Sequence, residues 1–198
     1  LHEPDALQGA EEALDRGEME AWLREAIGHF NVAISALRAL DAAIVVGVQG
    51  PAAGGTLGLI WVADHVIAAE NLTLNLAYAR LGGSPDGGTS WFLPRLVNPL
   101  RAFELFTLTP TLNARQALDW GLANQVVPVN TLHAAVDTVV AKWLAVPPQS
   151  LRNFKQLLRA STSHTLHAHL QEEMEGFVLA GQQPEFAEKV KAFLGSTS

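Results

Sequence analysis

The spacing of apolar positions changes along the chain, and each change marks an element. Residues 1–17 are polar and acidic, with Pro4 and Gly9, and read as a loop with one short helix. Over residues 18–40 the apolar positions are Trp22, Leu23, Ile27, Phe30, Ile34, Leu37 and Leu40. Steps of three and four residues predict one face of a long amphipathic helix. Residues 42–48, AAIVVGV, are a β-branched apolar run and predict a buried strand. A tight glycine-rich turn follows, Gln49-Gly50-Pro51-Ala52-Ala53-Gly54-Gly55, and residues 56–63 then read as a short buried helix. Two further strands are predicted at 66–69 and 72–76, and a loop, RLGGSPDGGT, at 80–89.

Beyond that loop the pattern is mostly helical. A helix is expected to start near Thr89 or Ser90, with Pro94 breaking or kinking it. Two short helices follow at 99–106 and 113–122, the second with Asn113 as its N-cap. A last strand is predicted at 125–128. From Val129 on the pattern is helical, broken at Pro147-Pro148, near Ser161 to Ser163, and between Gly181 and Pro184. Alternating strand, turn and helix in the first half predicts an α/β fold. The domain boundary is placed near Pro128, giving an α/β part over 1–128 and a helical part over 129–198. No repeat of fixed period is present.

Composition narrows the class. Of 198 residues, 48% are apolar and 17% charged. A chain of this length hides roughly 70% of its unfolded surface, so a core forms without help from disulfides, and there is no cysteine to make one. Disorder over the whole chain is excluded, because it requires low hydrophobicity and high charge. The net charge of −7 argues against a nucleic-acid surface. No apolar run approaches ~18 residues, so no membrane span is predicted. The chain begins at Leu1 rather than Met, without a basic region and apolar stretch. No signal peptide is therefore expected, the chain is expected to be trimmed or incomplete, and a cytoplasmic location is the default.

Three groups of residues suggest chemistry. Gly50 to Gly55 lie between a strand and a helix, where N–H groups at a helix start can face a negative charge. Close packing of strand on helix explains the same glycines. Asp86 stands in a glycine-rich loop and can serve as a base or nucleophile if held near a substrate. Pro85-Asp86-Gly87 is also a common turn sequence, so the local pattern leaves both readings open. His164, His167 and His169 include two residues three apart on one helical face, but no ligand motif completes a metal site, and a solvated helix is the preferred reading.

Beyond these local patterns, residues 42–64, AAIVVGVQGPAAGGTLGLIWVAD, resemble the strand–turn–helix of the crotonase superfamily, the enoyl-CoA hydratases and isomerases. The resemblance rests on the order apolar strand, N/Q-G-x-A-x-G-G, apolar helix, Asp. RLGGSPDGGTSWFLPRL is similar to that family's next loop and helix, and NARQALDWGLANQVVP to its later stretch ending W-G-L-V-x-x-V-V-P. The three blocks come in the family's order and cover residues 42–128. LHEPDAL resembles the stretch after the Asp of the family's earlier A-G-x-D-L motif, which the given sequence lacks. EFAEKVKAFLGSTS resembles its C-terminal helix without the usual basic finish.

The resemblance implies a spiral of ββα units followed by a helical region that mediates trimerisation, often as a dimer of trimers. It implies acyl-CoA substrates, with CoA part of the substrate and no separate cofactor or metal. A thioester carbonyl would sit between two backbone N–H groups, one of which maps onto Gly55. Pro51, Ala52, Gly54, Tyr78 and Leu81 are expected around the substrate. The two glutamates of the hydratases map onto Gly58 and Tyr78, so neither carboxylate is present. Asp86 matches an aspartate used by some family isomerases, including those of phenylacetate catabolism. It also lies near the nucleophilic aspartate of aromatic-CoA dehalogenases, which carry Trp where Tyr78 stands. The reaction this implies is double-bond isomerisation with Asp86 as acid and base. The alternatives are another reaction of the family (hydration, hydrolysis or dehalogenation) and a non-catalytic CoA-ester-binding or assembly subunit.

Overall fold

The computed structural model describes residues 3–195. Leu1 and His2, which open the LHEPDAL segment, and the closing Ser196-Thr197-Ser198 lie outside the described residues. The chain divides into two compact units. One takes in the chain up to Leu40 and Ile44–Val136, the other Asp41–Ala43 and the chain from Asp137 onward.

The first unit opens with α1 (Glu3–Asp15) and α2 (Met19–Ala39). Residues 3–15 therefore form one helix of thirteen residues, where a loop with one short helical piece was expected. The reason is tertiary: Ala13 of α1 is buried, and a Cβ on Gly9 would come to 3.1 Å from the Trp22 indole nitrogen on α2. Gly17, at φ +69°, ends α1, and the Glu18 N–H donates back to the Ala13 carbonyl oxygen at 2.8 Å. The α2 helix agrees with its apolar spacing, with Phe30, Ile34 and Leu37 set against the core.

Next come β1 (Val45–Val48), β2 (Pro51–Ala53), a 3-10 turn over Gly54–Thr56 and α3 (Leu57–Trp61). Then follow β3 (His65–Ala69), β4 (Thr73–Asn75), α4 (Tyr78–Leu81), α5 (Thr89–Leu96) and α6 (Pro99–Leu108). The unit continues with β5 (Leu112–Asn113), α7 (Ala114–Asp119), β6 (Gln125–Val127), a 3-10 turn at Val129–Thr131 and the first part of α8 (Leu132–Leu144). The predicted glycine-rich turn is thus divided. Pro51–Ala53 pair with β4, which gives three short residues a place in a second sheet, and positive φ is confined to Gly50 (+70°) and Gly54 (+57°) on either side.

Strands alternate between two sheets as the chain advances. β1, β3 and β6 form a parallel sheet in the order β1-β3-β6, with Val45 opposite His65 and Ile67 opposite Gln125. β2, β4 and β5 form the second, with Ala52 opposite Leu74 and Leu74 opposite Leu112. A strand pair followed by a helix, repeated, winds the chain into a spiral. The central strand β3 is buried from Val66 to Ala69, which explains its unbroken apolar run.

The same kind of side chain fastens each turn of the spiral. Asp64 Oδ2 accepts the Ile44 N–H at 2.8 Å, Asn71 Oδ1 the Gly50 N–H at 3.2 Å, and Asn124 Oδ1 the Val66 N–H at 2.8 Å. Each supplies an acceptor where a strand begins and its ladder is incomplete. Asn113 caps α7 as expected, within a full capping box that includes Gln116.

The second unit is helical: the remainder of α8, then α9 (Pro148–Ala160), α10 (Leu166–Gly181) and α11 (Pro184–Gly195), with breaks where the pattern places them. Lys155 is buried on α9 and donates to the Ala42 carbonyl oxygen at 2.5 Å, while Arg152 pairs with Asp41 at 3.5 Å. These bonds tie the short Asp41–Ala43 segment to this unit. Among the described residues, no helix is long and apolar enough to cross a membrane.

The strand-start bonds generate a stability test. Asn124→Ala leaves the Val66 N–H without its side-chain acceptor at a half-buried position and is expected to cost about 1–3 kcal/mol, read as a lower urea midpoint with an unchanged slope.

Candidate active site

A short tripod of backbone segments builds the site. The 3-10 turn Gly54–Thr56 leads into α3, so the Gly55 N–H belongs to the first turn of a helix, where N–H groups have no intrahelical acceptor. The loop before α5 lies directly on this turn. A Cβ on Gly55 would stand 2.5 Å from Asp86 Oδ1 and 3.1 Å from Oδ2. A Cβ on Gly87 would fall on the Gly55 carbonyl oxygen and come to 2.8 Å from the Phe30 ring. One on Gly58 would overlap the Gly87 carbonyl oxygen. Gly87 and Gly88 hold φ of +57° and +74°, which only glycine adopts without strain.

Asp86 is held from two sides. From α4, the Tyr78 hydroxyl donates to Asp86 Oδ1 at 2.7 Å and stands 3.2 Å from the Asp86 carbonyl oxygen. From α5, the Thr89 hydroxyl and N–H donate to that carbonyl at 2.9 and 3.1 Å. The Tyr78 and Thr89 hydroxyl oxygens are 3.1 Å apart. Tyr78 is 8% exposed and Thr89 fully buried, whereas Asp86 is half-buried. Burial pushes the Tyr78 phenol up to about 12, and the Asp86 carboxylate beside it acts in the same direction. Tyr78 is therefore a protonated donor throughout the neutral range.

The structure brings Gly55, Tyr78 and Asp86 together. Gly54 precedes Gly55 in the same turn, and Pro51 and Ala52 lie on the strand that enters it. Leu81 ends α4 and is 84% exposed. Thr89 was not singled out from the sequence. Its only signal is its place three residues after Asp86, the spacing of a side chain that closes a turn. Facing Gly88 is an open pocket of about 340 Å³ lined by Ile34, Arg38, Trp91 and Phe92. In the second unit, His164 faces Glu172 at 3.4 Å and His169 faces Glu173 at 3.5 Å.

Comparison with known proteins bears on this arrangement. The family model described as enoyl-CoA hydratase/isomerase matches residues 12–197. The chain belongs to the enoyl-CoA hydratase/isomerase family, within the crotonase superfamily. It is 33% identical over 169 residues to 1,2-epoxyphenylacetyl-CoA isomerase of Escherichia coli, covering 85% of this chain and 64% of that protein. The chain thus spans a little under two thirds of that relative's length. Among solved structures, it resembles an enoyl-CoA hydratase from Polaromonas, with a TM-score of 0.87 at 29% identity over 96% of this chain and 73% of that one. It also resembles an enoyl-CoA hydratase homologue from Thermobifida fusca in complex with acetoacetyl-CoA, with a TM-score of 0.75 at 31% identity, covering 81% of this chain and 63% of that one. These likenesses give the spiral its family name: it is a crotonase fold.

Gly58 and Tyr78, onto which the sequence resemblance places the hydratase glutamates, have physical reasons for their present occupants. Gly58 has no room for any side chain against Gly87. Tyr78 fills its position with a ring 6.0 Å from that of Phe106 and a hydroxyl aimed at Asp86.

Two measurements check the site's packing and electrostatics. Gly58→Ala is expected to destabilise the fold by about 3 kcal/mol, because the obstacle is backbone rather than a flexible side-chain end. Tyr78 is the only tyrosine of this sequence, so tyrosinate absorbance isolates it. Its native titration is expected to centre near pH 12 rather than at the ordinary value of 10. A raised phenol pKa means the unfolded chain loses this proton first. The associated stability is full below pH 10 and is lost as pH climbs towards 12.

Proposed function

We propose that this protein is an acyl-CoA enzyme that shifts a double bond within an unsaturated acyl chain. The observation that carries the reading is the Asp86 carboxylate, half-buried and pinned against Gly55 at the start of a helix. The Gly55 N–H polarises the thioester carbonyl. Asp86 removes a proton from one carbon: the C–H bond breaks, an O–H bond forms on the carboxylate, and the electron pair passes into the thioester as an enolate. The negative charge that develops on the carbonyl oxygen is stabilised by the helix-start N–H. The protonated Asp86 then returns the proton to another carbon of the conjugated system, and the double bond reforms in its new position. No oxidant or further reactant is consumed.

Isomerisation is favoured over two-glutamate hydration because the site offers one carboxylate. One acid/base group suffices for a proton shuttle, whereas addition of water by the hydratases relies on a pair. A single held carboxylate can both take and give the proton in such a shuttle. Pro51, Ala52, Gly54, Tyr78 and Leu81 border the acyl-CoA, with Tyr78 meeting it through its held carboxylate. The helical region assembles the protein into trimers or pairs of trimers through its outward apolar side chains, which include Leu166, Leu170, Met174 and Phe177 of α10.

Asp86→Asn keeps the size and turn geometry of the side chain but removes its base. Isomerisation of a panel of unsaturated acyl-CoA thioesters, followed by product analysis, is expected to fall at least ~100-fold, with an unchanged circular dichroism spectrum. Turnover equal to that of the unmodified protein would sink the assignment.

A further inference from the structure

We propose that Tyr78 and Thr89 are positioning residues that decide which oxygen of Asp86 works: the Tyr78 hydroxyl holds Oδ1, and Oδ2 carries the proton. This inference rests on the reading of Asp86 as the acid and base and deepens it.

A carboxylate turns about its last bond over a broad, nearly two-fold well. Left alone, its two oxygens would exchange places, and each would spend half its time turned from the substrate. Here they differ. Oδ1 accepts the Tyr78 hydroxyl at 2.7 Å and is the oxygen nearer to where a Gly55 Cβ would stand. Oδ2 accepts no hydrogen bond among the described residues and lies farther from Gly55.

The hydroxyl protons around Asp86 can be accounted for. Tyr78 has one proton and three acceptors within reach: Asp86 Oδ1 at 2.7 Å, Thr89 Oγ1 at 3.1 Å and the Asp86 carbonyl at 3.2 Å. The shortest of these is also the charge-assisted one, so the proton goes to Oδ1. Thr89 then spends its own hydroxyl proton on the Asp86 carbonyl at 2.9 Å and so holds the Asp86 backbone, its oxygen lying 3.1 Å from that of Tyr78. Both residues are rigid supports: Thr89 is fully buried, and the Tyr78 ring packs against Phe106. The charges on α4, α5 and α6 are engaged elsewhere, and Arg38 of α2 lies 5.2 Å over the Trp91 ring. Arg80 on α4 bonds Thr109, Arg95 on α5 bonds the Trp91 carbonyl, and Arg101 and Glu104 on α6 pair with each other. Asp86 is the charged side chain to which the phenol donates.

For the proton shuttle this has two consequences. Fixing the carboxylate keeps Oδ2 in one place between taking the proton and returning it, so both transfers use the same oxygen. The phenol itself never ionises in the working range, so it can donate but cannot replace Asp86 as base.

The test uses the full chain, the three variants Tyr78→Phe, Thr89→Val and Thr89→Ser, and Asp86→Asn as a control. Tyr78→Phe is expected to lower kcat roughly 10- to 100-fold with KM within about threefold, because the carboxylate is no longer held in one orientation. Thr89→Val is expected to lower kcat and Thr89→Ser, which keeps the hydroxyl, to restore it. The contact has its own readout without turnover. The tyrosinate midpoint, taken as the difference from Tyr78→Phe, is expected to fall by about one unit in Asp86→Asn, where the negative neighbour is gone. A Tyr78→Phe protein with unchanged kcat overturns the positioning role even where Asp86→Asn abolishes turnover. A tyrosinate midpoint unmoved in Asp86→Asn overturns it as well. Turnover that survives Asp86→Asn instead removes the acid/base reading on which it rests.

Discussion

Three glycines meet where the loop before α5 rests on the turn before α3, and the rest of the site depends on how closely they approach. Gly87 lies against the backbone of Gly55, and Gly58 against the carbonyl of Gly87, each at a distance a Cβ would not permit. That approach brings Asp86, one residue before Gly87, to the start of a helix, where the first N–H groups have no intrahelical acceptor. A methyl group at any of these positions would lift the loop away and take the carboxylate with it. The glycines thus act through absence of volume, at a point where two stretches of chain some thirty residues apart in sequence share one small space.

Around this contact the spiral supplies rigidity by ordinary means. An almost wholly apolar strand, β3, lies between its two neighbours, and Asp64, Asn71 and Asn124 give acceptors to the strand starts that would otherwise lack them. Few polar side chains are buried within the first unit, and two of the hydroxyl groups near the core, those of Tyr78 and Thr89, turn towards Asp86. Apolar packing fixes the frame, and a small hydrogen-bond network aims one carboxylate. The network is worth more at these part-buried positions than at the open surface, because the surroundings are less polar than water.

Membership of the enoyl-CoA hydratase/isomerase family describes a scaffold that hosts several reactions, so the distinguishing features lie in the side chains. At Gly58 the backbone approach that docks the Asp86 loop also excludes a glutamate. At Tyr78, where the resemblance places a hydratase carboxylate, a phenol donates a hydrogen bond to Asp86. The two departures are linked through the same loop: one seats it, and the other orients the acid group it carries.

The sequence by itself determined much of the local structure. The three- and four-residue spacing of α2, the β-branched run of β1, the Asn113 cap and the breaks between the C-terminal helices all depend on near neighbours, and such signals are written in short stretches of chain. So was the family likeness, which rests on residues 42–128 as consecutive blocks, and Asp86 and Gly55 could be chosen from those blocks. Tertiary structure decided the remainder. The polar first segment became α1 because Gly9 and Ala13 found a partner in α2, and Pro51–Ala53 became a strand because β4 lay beside them. Leu81 was taken outward to the end of α4, while Thr89 was drawn into the core beneath Asp86. The meeting of Gly55, Gly58 and Gly87 could not be read from any window of sequence. Glycine states that space is available, and only the folded chain shows which neighbour fills it.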